Sequence, residues 1–376
     1  MRAIILSHAY IDPEQRGKLR ALAGLGCTLS VAVPDQWEIR RQDRQLRAAW
    51  GDDAGVRIVP IPVRGASGPH DSGRWRRGPL KRLLTDFRPD ILQIEEEPWT
   101  RAAVLASGLA ARLGIPTTLF ARESLARRLP IMLAWRRHRT LPRIAGLIGA
   151  NRGAAAILGR LRPGVLATTM PQTGVTPPLE LPRNEHPGLA IGFVGRLVPE
   201  KGLDILFRAC IKLLGRWTLT VVGSGPSQEE LEALAERLGI AARITWLGAL
   251  PATDLGRLWG DIDCLVVPSR TTPRWVETFH APLVEAMGHG ITIIGSDSGA
   301  LPELIDTAGL VVPEDDVPAL TAALQHLADS PRERQRLSRE GRQRVMSEYT
   351  HVAVAQRTWG FWEQVLRGRP RKGRGK

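Results

Sequence analysis

The sequence predicts an α/β protein built from two doubly wound parallel sheets. Short β-branched and aliphatic runs alternate with helical stretches. The series occurs twice. Between the two runs lies a proline-studded junction, Pro177-Pro178-Leu-Glu-Leu-Pro182-Arg-Asn-Glu-His-Pro187, which reads as a linker. A chain of 376 residues exceeds one ordinary core and suits two domains.

In the first half, strands are expected at 2–8, 28–34, 57–63, 91–95, 116–122 and 146–151, with helical periodicity at 14–22 and 100–113. In the second half, strands are expected at 189–195, 217–223, 243–248, 264–269 and 291–296. Helices fill 202–214, 227–238, 281–287, 317–328 and 331–347. The domains expected are 1–182 and 183–350. A last helix at 351–366, carrying Trp359 and Trp362, is expected to pack back on the first domain. Residues 367–376 are a basic, low-complexity tail expected to be disordered.

Bulk properties narrow the function classes. With 43% hydrophobic residues the chain should be globular. No apolar run reaches the roughly 18–20 residues needed to cross a bilayer. The start, MRAIILSHAY, reads as a short β-like run rather than a signal peptide. Cys27, Cys210 and Cys264 are odd in number and widely spaced, which fits no disulfide or zinc pattern and favours a reducing cytoplasm.

The net charge of +14 is unevenly placed. Residues 1–182 hold 28 Lys/Arg against 15 Asp/Glu; residues 183–376 hold 24 against 23. One reading is solubility or an Arg-rich composition. The other is an anionic membrane surface met by the basic N-terminal domain, where each cation contributes about 1 kcal/mol. The segment Arg127-Arg128-Leu-Pro-Ile-Met-Leu-Ala-Trp135-Arg136-Arg137-His138-Arg139 fits the second reading, because basic clusters frame an apolar stretch with a tryptophan. Specific nucleic-acid binding is not expected: aromatics are 5% and no nucleic-acid signature is visible.

Three segments carry chemistry. Strand Ile191-Gly-Phe-Val194 ends in Gly195, and Arg196 and Lys201 follow on one loop before a helix opening near Gly202. Ligands of open α/β sheets bind at the carboxyl ends of strands, and these two cations suit a diphosphate. Gly223-Ser224-Gly225 follows the next strand; taken alone, this spacing is a tight turn. In Trp275-Val-Glu277-Thr-Phe-His-Ala-Pro-Leu-Val-Glu285, a helix starts near Ala281 with Pro282 in its first turn. Its N-terminal amides suit phosphate. Glu285, one turn inside, suits a ribose diol, and Glu277, before the helix, suits sugar hydroxyls.

In order, Gly195-Arg196…Glu200-Lys201-Gly202, Val222-Gly223-Ser-Gly225, Pro268-Ser269, Glu277-x7-Glu285-Ala-Met and Gly295-Ser-Asp297-Ser-Gly299-Ala-Leu-Pro302-Glu303 closely resemble the family 4 glycosyltransferases. The resemblance covers 189 to about 328; in the first half it is confined to the strand–helix outline and Pro171-Gln-Thr-Gly174-Val175. It implies the GT-B fold, two doubly wound Rossmann-like domains facing a central cleft. It implies a retaining, metal-independent hexosyltransferase that uses a UDP- or GDP-sugar donor and no cofactor, with a glycan or lipid-linked acceptor. By the same resemblance Arg196 and Lys201 neutralise the diphosphate and, with Glu277, form the catalytic set. Glu285 holds ribose, Glu277 and the backbone of Thr278, Phe279, His280 and Ala281 hold the sugar, and Gly223 and Leu250 belong to the nucleotide's surroundings.

The chain departs from the family pattern at Thr278 and His280, where glycines are usual. On the acceptor side the candidates are His8, Glu96, Glu97 and Glu123. Asp261-Ile-Asp263 looks like a metal-binding D-x-D, but it precedes its strand, on the edge away from ligands, and reads as capping or solvated. A GT-B-fold epimerase or phosphorylase, or a non-enzymatic basic binding protein, are the alternative readings.

Overall fold

The computed structural model describes residues 1–39, 44–65, 73–178, 184 and 187–368. The chain divides into two compact units, Met1–Gly174 with His351–Lys376, and Val175–Thr350. The division falls at 174/175, eight residues before the boundary expected at 182/183, which itself lies outside the described residues. Val175 N–H bonds to the Tyr349 carbonyl at 2.8 Å, so the second unit already begins before the proline cluster. The tail expected at 367–376 lies outside the described residues from 369 onward.

In chain order the strands of the first unit are β1 (Arg2–Leu6), β2 (Thr28–Pro34), β3 (Gln36–Ile39), β4 (Arg44–Arg47), β5 (Gly51–Asp53), β6 (Val56–Ile61), β7 (Val63–Arg64), β8 (Arg74–Trp75), β9 (Ile91–Glu95), β10 (Thr117–Ala121), β11 (Gly146–Gly149) and β12 (Leu166–Thr169). Its helices are α1 (Gly17–Gly24), α2 (Arg77–Phe87), α3 (Arg101–Arg112), α4 (Ile131–Thr140) and α5 (Arg152–Leu161). The main sheet runs β12-β11-β10-β9-β1-β2-β6-β5, parallel except for β5. Strand order reverses between β9 and β1, which makes that pair's carboxyl edge the ligand crevice of an open α/β sheet.

Local chemistry explains the elements. In α2, Leu80, Leu83, Leu84 and Phe87 form one buried stripe at helical spacing. Thr100 and Asn151 cap α3 and α5 by accepting from the backbone N–H of Ala103 and Ala154. The central strands β1, β9 and β10 are buried on both faces apart from Arg2, with Gln93, Glu95, Thr117 and Thr118 as buried polar residues among the apolar ones.

The second unit contains β13 (Leu189–Val194), α6 (Leu203–Cys210), β14 (Trp217–Val222), α7 (Gln228–Arg237), β15 (Ile244–Trp246), α8 (Ala252–Leu258), β16 (Cys264–Val267), α9 (Ala281–Gly288), β17 (Thr292–Ser296), α10 (Leu301–Ile305), β18 (Gly309–Val312), α11 (Val317–Asp329) and α12 (Pro331–Arg344). Its sheet is parallel, in the order β15-β14-β13-β16-β17-β18, with the reversal between β13 and β16. The last helix, α13 (His351–Arg367), belongs to the first unit, where Ala355, Phe361, Trp362 and Val365 join the core beneath β1 and β2. Among the described residues no helix is long and apolar enough to cross a membrane.

Candidate active site

At the reversal point of the second sheet, the loops after β13 and β16 meet. Lys201 follows β13 and lies just before α6; only 9% of it is exposed. Its Nζ donates to Glu277 Oε2 at 2.5 Å, and Ser269, the second residue after β16, donates its hydroxyl to the same oxygen at 3.0 Å. Lys201 Nζ also stands 5.0 Å from the centre of the Trp275 ring. Two residues that the sequence assigns to opposite ends of a donor, Lys201 and Glu277, are therefore direct partners. Ser269 and Trp275 complete a cluster that sequence reasoning did not assign. The signal for Ser269 was its place at a strand end; nothing in the spacing marked Trp275.

The backbone around this cluster is fixed by glycines. Gly202 adopts φ 66°, and a Cβ there would meet the Pro268 carbonyl at 1.9 Å. Gly299 adopts φ 52°; a Cβ would lie 2.2 Å from the Glu277 carbonyl, which accepts instead from Ala300 N–H at 2.8 Å. Glu277 is thus held at both its carboxylate and its carbonyl. Gly223 has φ 139°, and a Cβ would meet the Gly195 carbonyl at 1.8 Å. The glycine pair at 223 and 225 lets the loops after β13 and β14 touch backbone to backbone.

His280 is the N-cap of α9. It is 4% exposed, and its Nδ1 accepts from Leu283 N–H at 3.1 Å. Burial, and then the Lys201 charge, pull the imidazole down to about 4, so it is neutral at pH 7 with the proton on Nε2. The side chain at this usually glycine position therefore has a helix-capping task. Phe279 and Leu250 are half-buried against the apolar cluster around Val194 and Leu283. Thr278 is half-buried and Ala281 is exposed at the first position of α9. Glu285 lies one turn into α9, half-buried, and burial raises its carboxyl above the usual range. Arg196 is exposed on the loop after β13.

Asp261 and Asp263 are occupied structurally. Asp263 accepts from Ala190 N–H at 2.9 Å, and Asp261 accepts from the Asn184 side chain at 2.6 Å, at the start of β16. The described residues contain no group of three or more His, Cys, Asp or Glu side chains arranged to hold a metal ion.

In the first unit, the three consecutive glutamates that end and follow β9 go three ways. Glu95 is buried and accepts from Lys18 Nζ, Tyr10 OH and Gln93 Nε2, each at 2.6 Å. Glu96 turns to the reversal point beside β1, where its Oε1 lies 2.7 Å from His8 Nδ1 and accepts from His8 N–H at 2.9 Å. The His8 ring stacks on Trp37, with centroids 4.8 Å apart. Glu97 turns away toward β10: its Oε1 accepts from Arg122 and Glu123 N–H. Its Oε2 is sealed from solvent with no partner. Burial pushes its carboxyl up to about 7. Glu123 pairs with Arg127. The four acceptor-side candidates thus separate into a His8–Glu96 pair and a Glu97–Glu123 neighbourhood.

The sheet orders, with both reversal points, define the GT-B fold, which solved structures share over nearly the whole chain. Sucrose-phosphate synthase from Thermosynechococcus elongatus superposes with a TM-score of 0.69 at 18% identity, covering 98% of this chain and 100% of that one. HepE of Anabaena, solved with UDP, gives 0.70 at 14% identity, covering 97% and 100%. Residues 188–330, which lie within the second unit, match the family described as Glycosyl transferases group 1. Among curated relatives, a GDP-mannose-dependent α-(1-6)-phosphatidylinositol monomannoside mannosyltransferase of Mycolicibacterium smegmatis is 34% identical over 37% of this chain and 38% of its own length. An MMP α-(1→4)-mannosyltransferase of Mycolicibacterium hassiacum is 34% identical over 45% and 41%. The chain therefore spans about two fifths of the length of these relatives.

Proposed function

We propose that the protein is a retaining glycosyltransferase that moves a hexosyl group from a UDP- or GDP-sugar to an acceptor hydroxyl on a glycan or lipid-linked molecule. The observation that supports it most is the Lys201–Glu277–Ser269 cluster at the carboxyl edge of β13 and β16, inside the span that matches the glycosyltransferase family. In this reading Lys201 and Arg196 meet the diphosphate, and the positive end of the α9 dipole adds to their charge. A metal is then not required to stabilise the leaving group. Glu285 takes the ribose and Glu277 the sugar hydroxyls. Work at an anionic membrane surface on the cytoplasmic side fits the excess of cations in residues 1–182.

The test is a thermal-shift panel of nucleotide sugars followed by transfer assays with the responding donor. A ligand bound only by the folded state raises its stability. Glu277→Ala and Lys201→Ala should abolish transfer while the chain stays folded; near-normal turnover in either would sink the assignment. Conversion of the donor with no acceptor present would mark an epimerase instead.

A further inference from the structure

The first unit contains a cavity of about 340 Å³ that the donor chemistry does not use. It lies between the segments that follow β9 and β10 and the helices α4 and α5. Its walls are mainly aliphatic, with Leu125 and Leu129 on one segment and Ile157 and Leu161 on α5. Two polar atoms in these walls are buried and have no partner: Glu97 Oε2, a donor while the carboxyl is protonated and an acceptor once it ionises, and Trp99 Nε1, a donor on a side chain only 5% exposed. Leaving such groups unpaired is costly, and native structures seldom do so without an ordered water, a ligand or a function. A hydroxyl satisfies both kinds at once, because it donates and accepts.

Cations surround the same cavity. Arg128, Arg137 and Arg160 line it, and among the described residues their guanidinium groups have no hydrogen-bond or ion-pair partner. Guanidinium groups are matched to phosphate oxygens. The chain segment that forms this wall continues directly into α4, which exposes Ile131 by 87%, Met132 by 60% and Trp135 by 50%. Arg139 lies over the Trp135 ring, 5.1 Å from its centre. Apolar side chains this exposed, flanked by arginines, suit a lipid interface.

We propose that this cavity binds a phosphate-bearing, hydroxylated amphiphile taken from a lipid surface, with its phosphate on Arg128, Arg137 and Arg160, its first chain carbons along Leu125, Leu129, Ile157 and Leu161, and a hydroxyl between Glu97 and Trp99. The inference deepens the glycosyltransferase reading and rests on it for calling this ligand the acceptor. Binding itself is a separate matter and is tested separately.

The probes are inorganic phosphate, dodecyl phosphate below its micellar concentration, and vesicles of phosphatidylglycerol or of phosphatidylcholine. Binding to the full chain is followed by calorimetry and by vesicle co-sedimentation. Dodecyl phosphate should bind at least tenfold more tightly than inorganic phosphate, and phosphatidylglycerol vesicles should retain the protein where phosphatidylcholine vesicles do not. Ile157→Trp, which fills the cavity, should weaken dodecyl phosphate at least tenfold and leave inorganic phosphate unchanged. Arg128→Ser with Arg137→Ser should weaken both, and Ile131→Ser with Trp135→Ser should weaken only the vesicles. Nucleotide-sugar stabilisation of each variant, which reports on the second unit, should stay as in the parent. Equal affinity for phosphate and dodecyl phosphate, or insensitivity of dodecyl phosphate to Ile157→Trp, would overturn the proposal. Amphiphile binding without any nucleotide-sugar binding would instead refute the glycosyltransferase reading and leave the pocket standing.

Discussion

The Lys201–Glu277 pair makes a quantitative demand on stability. The two side chains are 11% and 6% exposed and meet at 2.5 Å. Glu277→Gln leaves a buried ammonium whose remaining neighbour is the Trp275 ring; Lys201→Met leaves a carboxylate with only the Ser269 hydroxyl. Removing one partner of a buried ion pair costs about 3–5 kcal/mol. Because each survivor keeps one favourable neighbour, about 3 kcal/mol is expected for each single change. The double variant leaves no charge stranded, so it should lose about 3 kcal/mol rather than the sum, a coupling of about 3 kcal/mol. For a unit the size of Val175–Thr350, each single change should lower its melting transition by roughly 6–12 °C. Urea and thermal unfolding of the full chain, followed by circular dichroism at pH 7 and physiological salt, measure all four corners of the cycle. Additivity within about 0.5 kcal/mol would show that the two side chains do not act on each other, and the geometry of the proposed donor site would lose its basis.

Three further outcomes follow from particular contacts. His280→Ala should lose about 0.5–2 kcal/mol by uncapping α9, and His280→Asn should recover most of it, both read from thermal unfolding. Gly223→Ala places a Cβ on the Gly195 carbonyl at φ 139°, so it should cost at least about 2 kcal/mol and weaken nucleotide-sugar stabilisation in the same thermal-shift assay. Glu97 holds its proton to about pH 7 when folded, through burial opposed by the Arg122 and Glu123 amides and the Arg122 charge, against 4.5 for an ordinary glutamate. Its stabilising contribution is therefore complete below about 4.5 and is lost as pH rises through 7. Against Glu97→Gln, the parent should lose on the order of 2–3 kcal/mol between pH 4.5 and 8, seen as diverging urea midpoints.

The doubly wound architecture was legible because β-branched runs end in glycine or serine just where the loops begin. Two strands, Thr28–Pro34 and Ile91–Glu95, have the bounds the sequence suggests. Others stop a residue or more early: Gly195, Gly223 and Ser269 extend the apolar pattern but serve the loops, where close backbone contacts and the Glu277 carboxylate need them. β12 was missed because its residues are half-buried or exposed at a sheet edge, with no alternation to read. α2 is absent from the elements read from the sequence; it carries Gly78 and Pro79 in its first turn, where proline is tolerated. Within the site, residue types were readable, but pairings were not. That Lys201 touches Glu277 depends on which strands flank the reversal point. That Glu95, Glu96 and Glu97 find three different partners depends on the backbone leaving β9, which one-dimensional spacing does not encode.

α13 gives the chain an unusual order of completion. The first unit begins at Met1, yet part of its core is supplied by the opposite end: Trp362 is fully buried there and donates to Gln93 at 2.6 Å. A ribosome would release the sheet of the first unit early but the helix that seals it only after the whole of Val175–Thr350 had been made. The first unit is thus finished only after the second, and its β1–β9 face stays uncovered through that interval. A nonsense mutation between the end of β12 and His351 would leave that face open for the lifetime of the fragment. The damage from a lost C-terminus would therefore appear in the N-terminal domain, far along the sequence from the lesion.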